Sequence, residues 1–573
     1  MKLIKFIMNV VVFTGGNGNA NLIKHLKGLS YVNLSLLING YDDGLSTGVI
    51  RSANQGMLGP SDYRKNFTYI LDDFTDYNRN LKKLFEHRLS EEETRVLLHD
   101  PDELIKNLIQ EHYALDRRSE NFITRYFEFG SQKLLNFTHN FSILNGFSVG
   151  NIIIGGIYAE TNDFNLALYL LTTQFELTAK IINISTADDS KLVAFDGDGN
   201  FLANEADIVN YEGNKPLSEF YLLPLDELNA LDKQGNYNKE EIERISKIPS
   251  VSKEALKALK EADLIIFGSG TQFSSLLPSY RICKNAILKS KAQKVLIVNN
   301  NYDNDIRNIQ FDEFTRKILQ EIDQTKIDFF DSIIVDTDSV IKPLKEIPNL
   351  TTADVADPTG KHDGQKLWTW INRSLDIKSG EVPVLISFAK NTEEFIKDYY
   401  HNEMESLNSD PTRVIKFYQT GEKEASSYTL HLDASGKVSL YEIDAWIRIM
   451  QLNQLDAVIG SRFESRRQLI NSFKHSIVES NLIYLFALIT SYWVSLIYFI
   501  RFWRIMPDPL SGIYLIKSKH DIPYKNLSYF LKKINRKKNF EFVSLPISYR
   551  TFKKVKILTK IKNVIVNLLG LYV

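Results

Sequence analysis

A chain of 573 residues is too long for one hydrophobic core, so at least two domains are expected. With 44% hydrophobic and 24% charged residues it has the composition of a folded globular protein, and a formal net charge of -1 excludes nucleic acid as the expected partner. Its single cysteine, Cys283, excludes an internal disulfide and a cysteine-based metal site, fits a reducing, cytoplasmic setting, and reads as a buried apolar thiol.

The chain opens with lysines and an apolar run over Met1 to Phe13. The run leads straight into Thr14-Gly15-Gly16-Asn17-Gly18 with no small-residue cleavage site, so it reads as a buried strand entering a glycine turn and not as a signal peptide. A helix-like stretch (Ala20 to Leu29) and a second apolar run (Leu34 to Asn39) complete a βαβ unit that ends on Asp42-Asp43-Gly44. Gly44 to Asn66, rich in glycine and small polar residues, reads as a long functional loop carrying Ser46, Thr47, Arg51, Asp62, Arg64 and Asn66. From Tyr69 to Phe141 charged, leucine-spaced segments predict a helical cap. Ser148-Val149-Gly150-Asn151 opens an apolar helix. Leu192 to Phe195 and Phe201 flank Asp196-Gly197-Asp198-Gly199-Asn200, a hairpin turn lacking the further carboxylates of a calcium loop. A helix (Lys253 to Glu261), a strand (Asp263 to Phe267) and the loop Gly268-Ser269-Gly270-Thr271 follow, and then two buried-strand runs, Lys294 to Val298 and Ser332 to Val335. Alternating strands and helices predict an α/β fold, a Rossmann-like doubly wound parallel sheet over residues 1–372. The polar stretch Asn372 to Glu381 reads as a linker, and Val382 to Ser387 begins a smaller α/β domain over residues 382–573.

A strand ending in closely spaced glycines presents backbone amides to an anion, although tight turns use glycine for steric reasons alone. Gly15, Gly16, Asn17 and Gly18 are therefore candidate phosphate ligands. Because the strand ends of an open parallel sheet line one crevice, Asp42 and Asp43 are expected in the same cleft, on a ribose hydroxyl or a divalent cation, unless they form only a solvated turn. Ser148, Gly150 and Asn151, and Gly268, Ser269, Gly270 and Thr271, are two further candidate anion nests.

Together these motifs resemble the CofD/YvcK-like family, which includes 2-phospho-L-lactate transferase and the gluconeogenesis factors of YvcK type. The likeness runs in order through Gly15 to Gly18, Asp42 to Arg51, Ser61 to Asn66, Gly146 to Asn151, Gly268 to Pro278 and Lys361-His362-Asp363-Gly364, over about residues 8 to 370. The departures are Phe147, where the family pattern has histidine, and Leu45, where it has glycine. The resemblance implies binding of a nucleotide sugar or other phosphorylated small molecule, with Asp43 as ligand to Mg2+ or Mn2+. Either a phospho-lactyl transfer of deazaflavin biosynthesis or a regulatory, non-catalytic role follows from it, and the YvcK-type motifs are the closer match.

In the second domain Tyr428 to Leu432 delivers Asp433-Ala434-Ser435-Gly436, followed by a helix-like stretch (Leu440 to Leu452), Val458-Ile459-Gly460-Ser461-Arg462, Asp508-Pro509-Leu510-Ser511-Gly512 and Pro546-Ile547-Ser548-Tyr549-Arg550. This series resembles family 2 glycosyltransferases of the polyprenyl-phosphate type, which have a GT-A-like α/β fold. The resemblance implies sugar transfer from a nucleotide sugar to a lipid-phosphate acceptor, with Asp433 as metal ligand and catalytic residue, Asp508 and Ser511 as catalytic residues, and Arg462 on phosphate. Ser435 replaces the family's second aspartate, and the segment before Asp433 is short. Leu482 to Ile500, free of charge, and the basic amphipathic Lys553 to Leu571 predict a peripheral contact with the inner face of the membrane.

Overall fold

The computed structural model describes residues 8–376, save 30–31, 72–75, 114, 139–140, 176, 178, 187–189, 214 and 233–237, and beyond them residues 382–388, 415–419, 426–432, 455–461, 513–520 and 542–546 with parts of 400–408 and 440–450. Contacts divide the chain into two compact units at Ile371/Asn372.

The first unit is built on ten strands. They are β1 (Met8–Phe13), β2 (Val32–Ile38), β3 (Lys180–Asn183), β4 (Ser190–Phe195), β5 (Phe201–Leu202), β6 (Glu219–Pro224), β7 (Leu264–Phe267), β8 (Gln293–Ile297), β9 (Ser332–Asp336) and β10 (Leu350–Ala353). Seven of them form one sheet in the order β10-β9-β8-β7-β1-β2-β3, and every pairing in it is parallel. Such a sheet is covered on both faces, and Val10 to Phe13 and Leu264 to Phe267 are accordingly at most 1% exposed. The chain winds outward from β1 through β2 to β3, then returns to place β7 on the other side of β1. The strand order therefore reverses between β1 and β7, where an open sheet leaves a crevice beyond its carboxyl ends. The expected hairpin is also present: β4 pairs antiparallel with β5 and β6, and Asp196 closes the turn by accepting from the amides of Asp198 and Asn200.

Gly44 to Asn66 is not the expected loop. Helices span Leu45–Ala53 and Ser61–Ile70. Serine, threonine and glycine read locally as loop, but Tyr63, Phe67 and Ile70 repeat on one buried face, and tertiary packing outweighs the weak propensity. The helical cap is present as expected, its starts fixed by the Ser90–Glu93 capping box, by Asp100 before Pro101, and by Asp116, which accepts from the amides of Arg118 and Ser119. Its two long helices, Arg117–Phe137 and Val149–Thr161, meet through glycine. A Cβ on Gly156 would lie 1.8 Å from the Tyr126 carbonyl oxygen, and one on Gly130 would lie 2.1 Å from that of Ile152. The expected linker is part helix, since a helix over Gly364–Asp376 carries Asn372 to Asp376 as its last turn; residues 377–381 lie outside the described set.

The second unit holds β11 (Val382–Phe388), β12 (Ile415–Gln419), β13 (Tyr428–Leu432), β14 (Ala457–Ser461), β15 (Ile513–Lys517) and β16 (Phe542–Pro546) in a mixed sheet of order β12-β11-β13-β15-β14-β16. Because β13 and β14 are both antiparallel to β15, they run the same way. Asp433, Arg462, Asp508, Ser511, Leu482 to Ile500 and Lys553 to Leu571 lie outside the described residues. Among the described residues no helix is long and apolar enough to cross a membrane.

Candidate functional site

The crevice between β1 and β7 is closed at its base by two glycine loops in backbone contact. A Cβ on Gly18 would lie 2.2 Å from the Ser269 carbonyl oxygen and 2.7 Å from the Gly270 Cα, so no side chain fits between them. Asn19 joins the loops as a strand neighbour would: its Nδ2 donates to the Ser269 carbonyl (3.0 Å) and its Oδ1 accepts from the Ser269 amide (3.1 Å). Asn299, after β8, holds Gly270 in the same manner, accepting from its amide (3.2 Å) and donating to its carbonyl (3.0 Å). These contacts revise the role of the second loop. The Ser269 and Gly270 amides are already spent, so neither is open to an anion, and the loop supports the first. In contrast, the amides of Gly15, Gly16, Asn17 and Gly18 donate to none of the described residues. Successive free amides at the end of a central strand are an anion-binding concavity.

The helix over Ser61–Ile70 supplies the wall beside this concavity. Asn66 Nδ2 donates to the Gly15 carbonyl (2.8 Å), while the fully buried Asn66 Oδ1 has no partner among the described residues. Asp62 Oδ1 pairs with Lys65 Nζ at 3.0 Å, and a Cβ on Gly16 would meet the same two groups at 3.1 and 2.9 Å. The Asp62 carboxylate holds the Lys65 ammonium above its ordinary pKa, so a full positive charge stands next to the free amides. Lys65 was not singled out by sequence reasoning, because a lysine in a helix usually reads as solvated surface.

Asp42 and Asp43 leave the end of β2 toward the same wall. Burial, and then the negative charge of Asp62, push the Asp42 carboxyl upward. Glu205, which the sequence did not mark, comes from the short helix after β5 and hydrogen-bonds to Asp42; burial and then Asp42, Asp62 and Asp43 push its carboxyl upward as well. A ligand hydroxyl or amine would relieve that crowding by donating to these oxygens.

Several sequence candidates are structural instead. Asp43, expected as the metal ligand, accepts from the Glu205 amide (3.1 Å) and pairs with Lys191 at 3.2 Å. Among the described residues no group of three or more His, Cys, Asp or Glu is arranged to hold a metal ion. Arg51 directs its guanidinium at the carbonyls of Met57, Tyr41, Asp42 and Ser190, which leaves it tying β4 to the acidic loop and not reaching a phosphate. Ser148, Gly150 and Arg64 form a buried joint around Phe85: Ser148 Oγ donates to its carbonyl, a Cβ on Gly150 would lie 2.6 Å from that oxygen, and Arg64 Nη1 reaches the same atom. The Val149 amide is taken by the His87 carbonyl and the Asn151 amide by the Ser148 carbonyl, so neither is open to an anion. Phe147 is buried at 2% exposure in the same joint. Asn151 Nδ2 donates to Ser61 Oγ, which contacts Thr47 Oγ1, and this places Asn151 behind the acidic loop. Ser46 is half-buried in the first turn of its helix, and Thr271 opens the π-helical turn Gln272–Leu276.

Known proteins are similar to this chain in sequence. The gluconeogenesis factor of Halalkalibacterium halodurans is 24% identical over 297 residues, covering 51% of this chain and 66% of its own length. Gluconeogenesis-factor-type proteins of Thermotoga maritima (25% over 294 residues, 51% of this chain, 68% of that protein) and Aquifex aeolicus (26% over 299 residues, 51% and 67%) are similar to it. A protein of Bacillus halodurans solved by X-ray crystallography aligns with a TM-score of 0.44 at 20% identity, covering 64% of this chain and 99% of its own. The family described as 2-phospho-L-lactate transferase CofD matches residues 10–363, which include both glycine loops, the acidic loop and the Ser61–Ile70 helix. The chain belongs to that CofD family.

Proposed function

We propose that the first unit binds a phosphorylated small molecule of the nucleotide-sugar class. Its phosphates would rest on the free amides of Gly15 to Gly18 beside Lys65, and its hydroxyls on Asp42, Asp62 and Asn66. The observation that carries this reading is the run of four amides that find no acceptor among the described residues, next to a lysine at the reversal point of the sheet. Acceptor-rich walls suit a polyhydroxylated ligand, since each buried oxygen left without a donor is costly. Binding without turnover is supported by Phe147, which stands buried where the family pattern has histidine. Transfer of a phospho-lactyl group is the second reading, favoured by the family match alone.

The test is a thermal-shift panel of UDP-sugars, GDP-mannose, nucleotides and a deazaflavin, with and without magnesium or manganese. A nucleotide sugar is expected to raise the melting temperature independently of the cation. Lys65→Met is expected to weaken that binding about tenfold, the size of losing one charged contact to phosphate. If no nucleotide sugar shifts the protein, the reading is wrong.

For the second unit we propose sugar transfer from a nucleotide sugar to a lipid phosphate at a membrane surface. The strand directions support it. Asp433 follows β13, Arg462 follows β14 and Ser511 precedes β15, and those three strand ends lie on one edge of the sheet. Transfer to polyprenyl phosphate that survives Asp433→Ala would sink this reading.

A further inference from the structure

Ser269 does more than pair with Asn19. Its hydroxyl donates to the Gly18 carbonyl (3.1 Å) and lies 3.1 Å from His362 Nδ1. A serine hydroxyl has one hydrogen, so it serves the Gly18 carbonyl and the imidazole at once only when the imidazole is the donor. A relay through both contacts needs the His362 proton on Nδ1. The ring is only 7% exposed, and burial lowers its pKa to about 4, so it stays neutral across the physiological range. Its own backbone is anchored to the same region, since Asn21 Nδ2, one turn after the glycine loop, donates to the His362 carbonyl at 2.9 Å. A Cβ on Gly364 would lie 2.1 Å from the Asn21 carbonyl oxygen, which seats the segment against the helix over Ala20–Leu26.

We propose that His362 is a positioning residue for the anion nest: through Ser269 Oγ it fixes the Gly18 carbonyl, which anchors the last residue of the Gly15-to-Gly18 loop whose amides receive a phosphate. The inference rests on the reading of the nest as a phosphate site. It assigns a role to the end of the matched region, about 90 residues from Ser269 in sequence, and it makes the relay from imidazole to hydroxyl to carbonyl part of ligand binding.

Two arms test it on the full chain. Without ligand, the 15N signals of the His362 ring are expected to show the Nδ1-H tautomer with no titration above about pH 5, and the Ser269 amide is expected to exchange with solvent faster in His362→Ala. With ligand, UDP-glucose and inorganic pyrophosphate are titrated against the wild type, His362→Ala, His362→Asn, Ser269→Ala and the His362→Ala/Ser269→Ala pair. His362→Ala is expected to weaken binding about tenfold, as the loss of one buried hydrogen bond implies. Asparagine, which can place a donor near the Nδ1 position, is expected to restore most of it. The double variant is expected to be no weaker than Ser269→Ala, because both changes break one relay.

An Nε2-H tautomer overturns the proposal, as do additive losses or pyrophosphate binding that ignores His362→Ala. Pyrophosphate binding with the expected variant pattern but no UDP-glucose binding supports the relay while removing the nucleotide-sugar class. Failure of both probes to bind the wild type removes the nest and the proposal with it.

Discussion

Gly18 and Gly146 are glycines for different reasons, and their alanine variants should separate. At Gly18 the obstacle is backbone: a methyl group would lie 2.2 Å from the Ser269 carbonyl oxygen, and neither loop can yield without parting β1 from β7. Gly18→Ala is expected to cost on the order of 1–3 kcal/mol of stability, as overpacking does, and to abolish ligand-induced stabilisation. Gly146 has φ +77 and open space around it, so Gly146→Ala is expected to cost only about 1 kcal/mol of left-handed backbone strain and to leave binding intact. Chemical denaturation and ligand titration of the two variants check both outcomes. The glycine loops were legible in the sequence because glycine marks the backbone directly. Lys65 and Glu205 were not, because each acquires its role from its surroundings in the fold, Glu205 meeting Asp43 across 162 residues; His362 was marked within the Lys361-to-Gly364 motif, but its contact with Ser269 across 93 residues was not.

Among the elements, the π-helical turn Gln272–Leu276 depends on a carboxylate from elsewhere. Asp305, fully buried, accepts from the Phe273 amide at 2.7 Å, and burial pushes its pKa from 3.8 to about 7. A folded-state value above the unfolded one means that the native protein holds the proton more tightly. This stabilising contribution is complete below about pH 4 and is lost as the pH rises through about 7. Asp305→Asn keeps an oxygen for the Phe273 amide and removes the titration. Its melting temperature is expected to fall less than that of the wild type between about pH 5 and 8, and equal slopes would show that Asp305 does not titrate in this window. Strands were the elements most legible in the sequence, since a buried parallel strand reads as an unbroken apolar run: β1 and β7 were recognisable from four or five residues each. The Leu45–Ala53 and Ser61–Ile70 helices were not, because serine, threonine and glycine carry no helical signal until the buried faces meet their neighbours.

On the scale of the molecule, the boundary at Ile371/Asn372 places both glycine loops, the acidic loop, Lys65 and His362 in one unit. A chain ending at Asp376 is therefore expected to melt cooperatively and to keep the full ligand-induced shift. Loss of that shift would show that the second unit contributes to the site. The division into two domains was legible from length and from the renewed apolar run at Val382, whereas the helix crossing the expected linker was hidden by its polar composition.

The contact between Gly18 and Ser269 also bears on biosynthesis. On the ribosome β1 emerges early, but β7, its neighbour on the side of the crevice, lies about 250 residues later. Until then β1 has only β2 beside it, the Gly18 carbonyl has no Ser269 to hold it, and the free amides have no fixed direction. Nascent chains arrested before Leu264 should be unable to retain a ligand, while those that have released His362 should do so. Ligand capture would thus report the closure of β7 onto β1, a step slowed by the length of chain that must first be made and looped back.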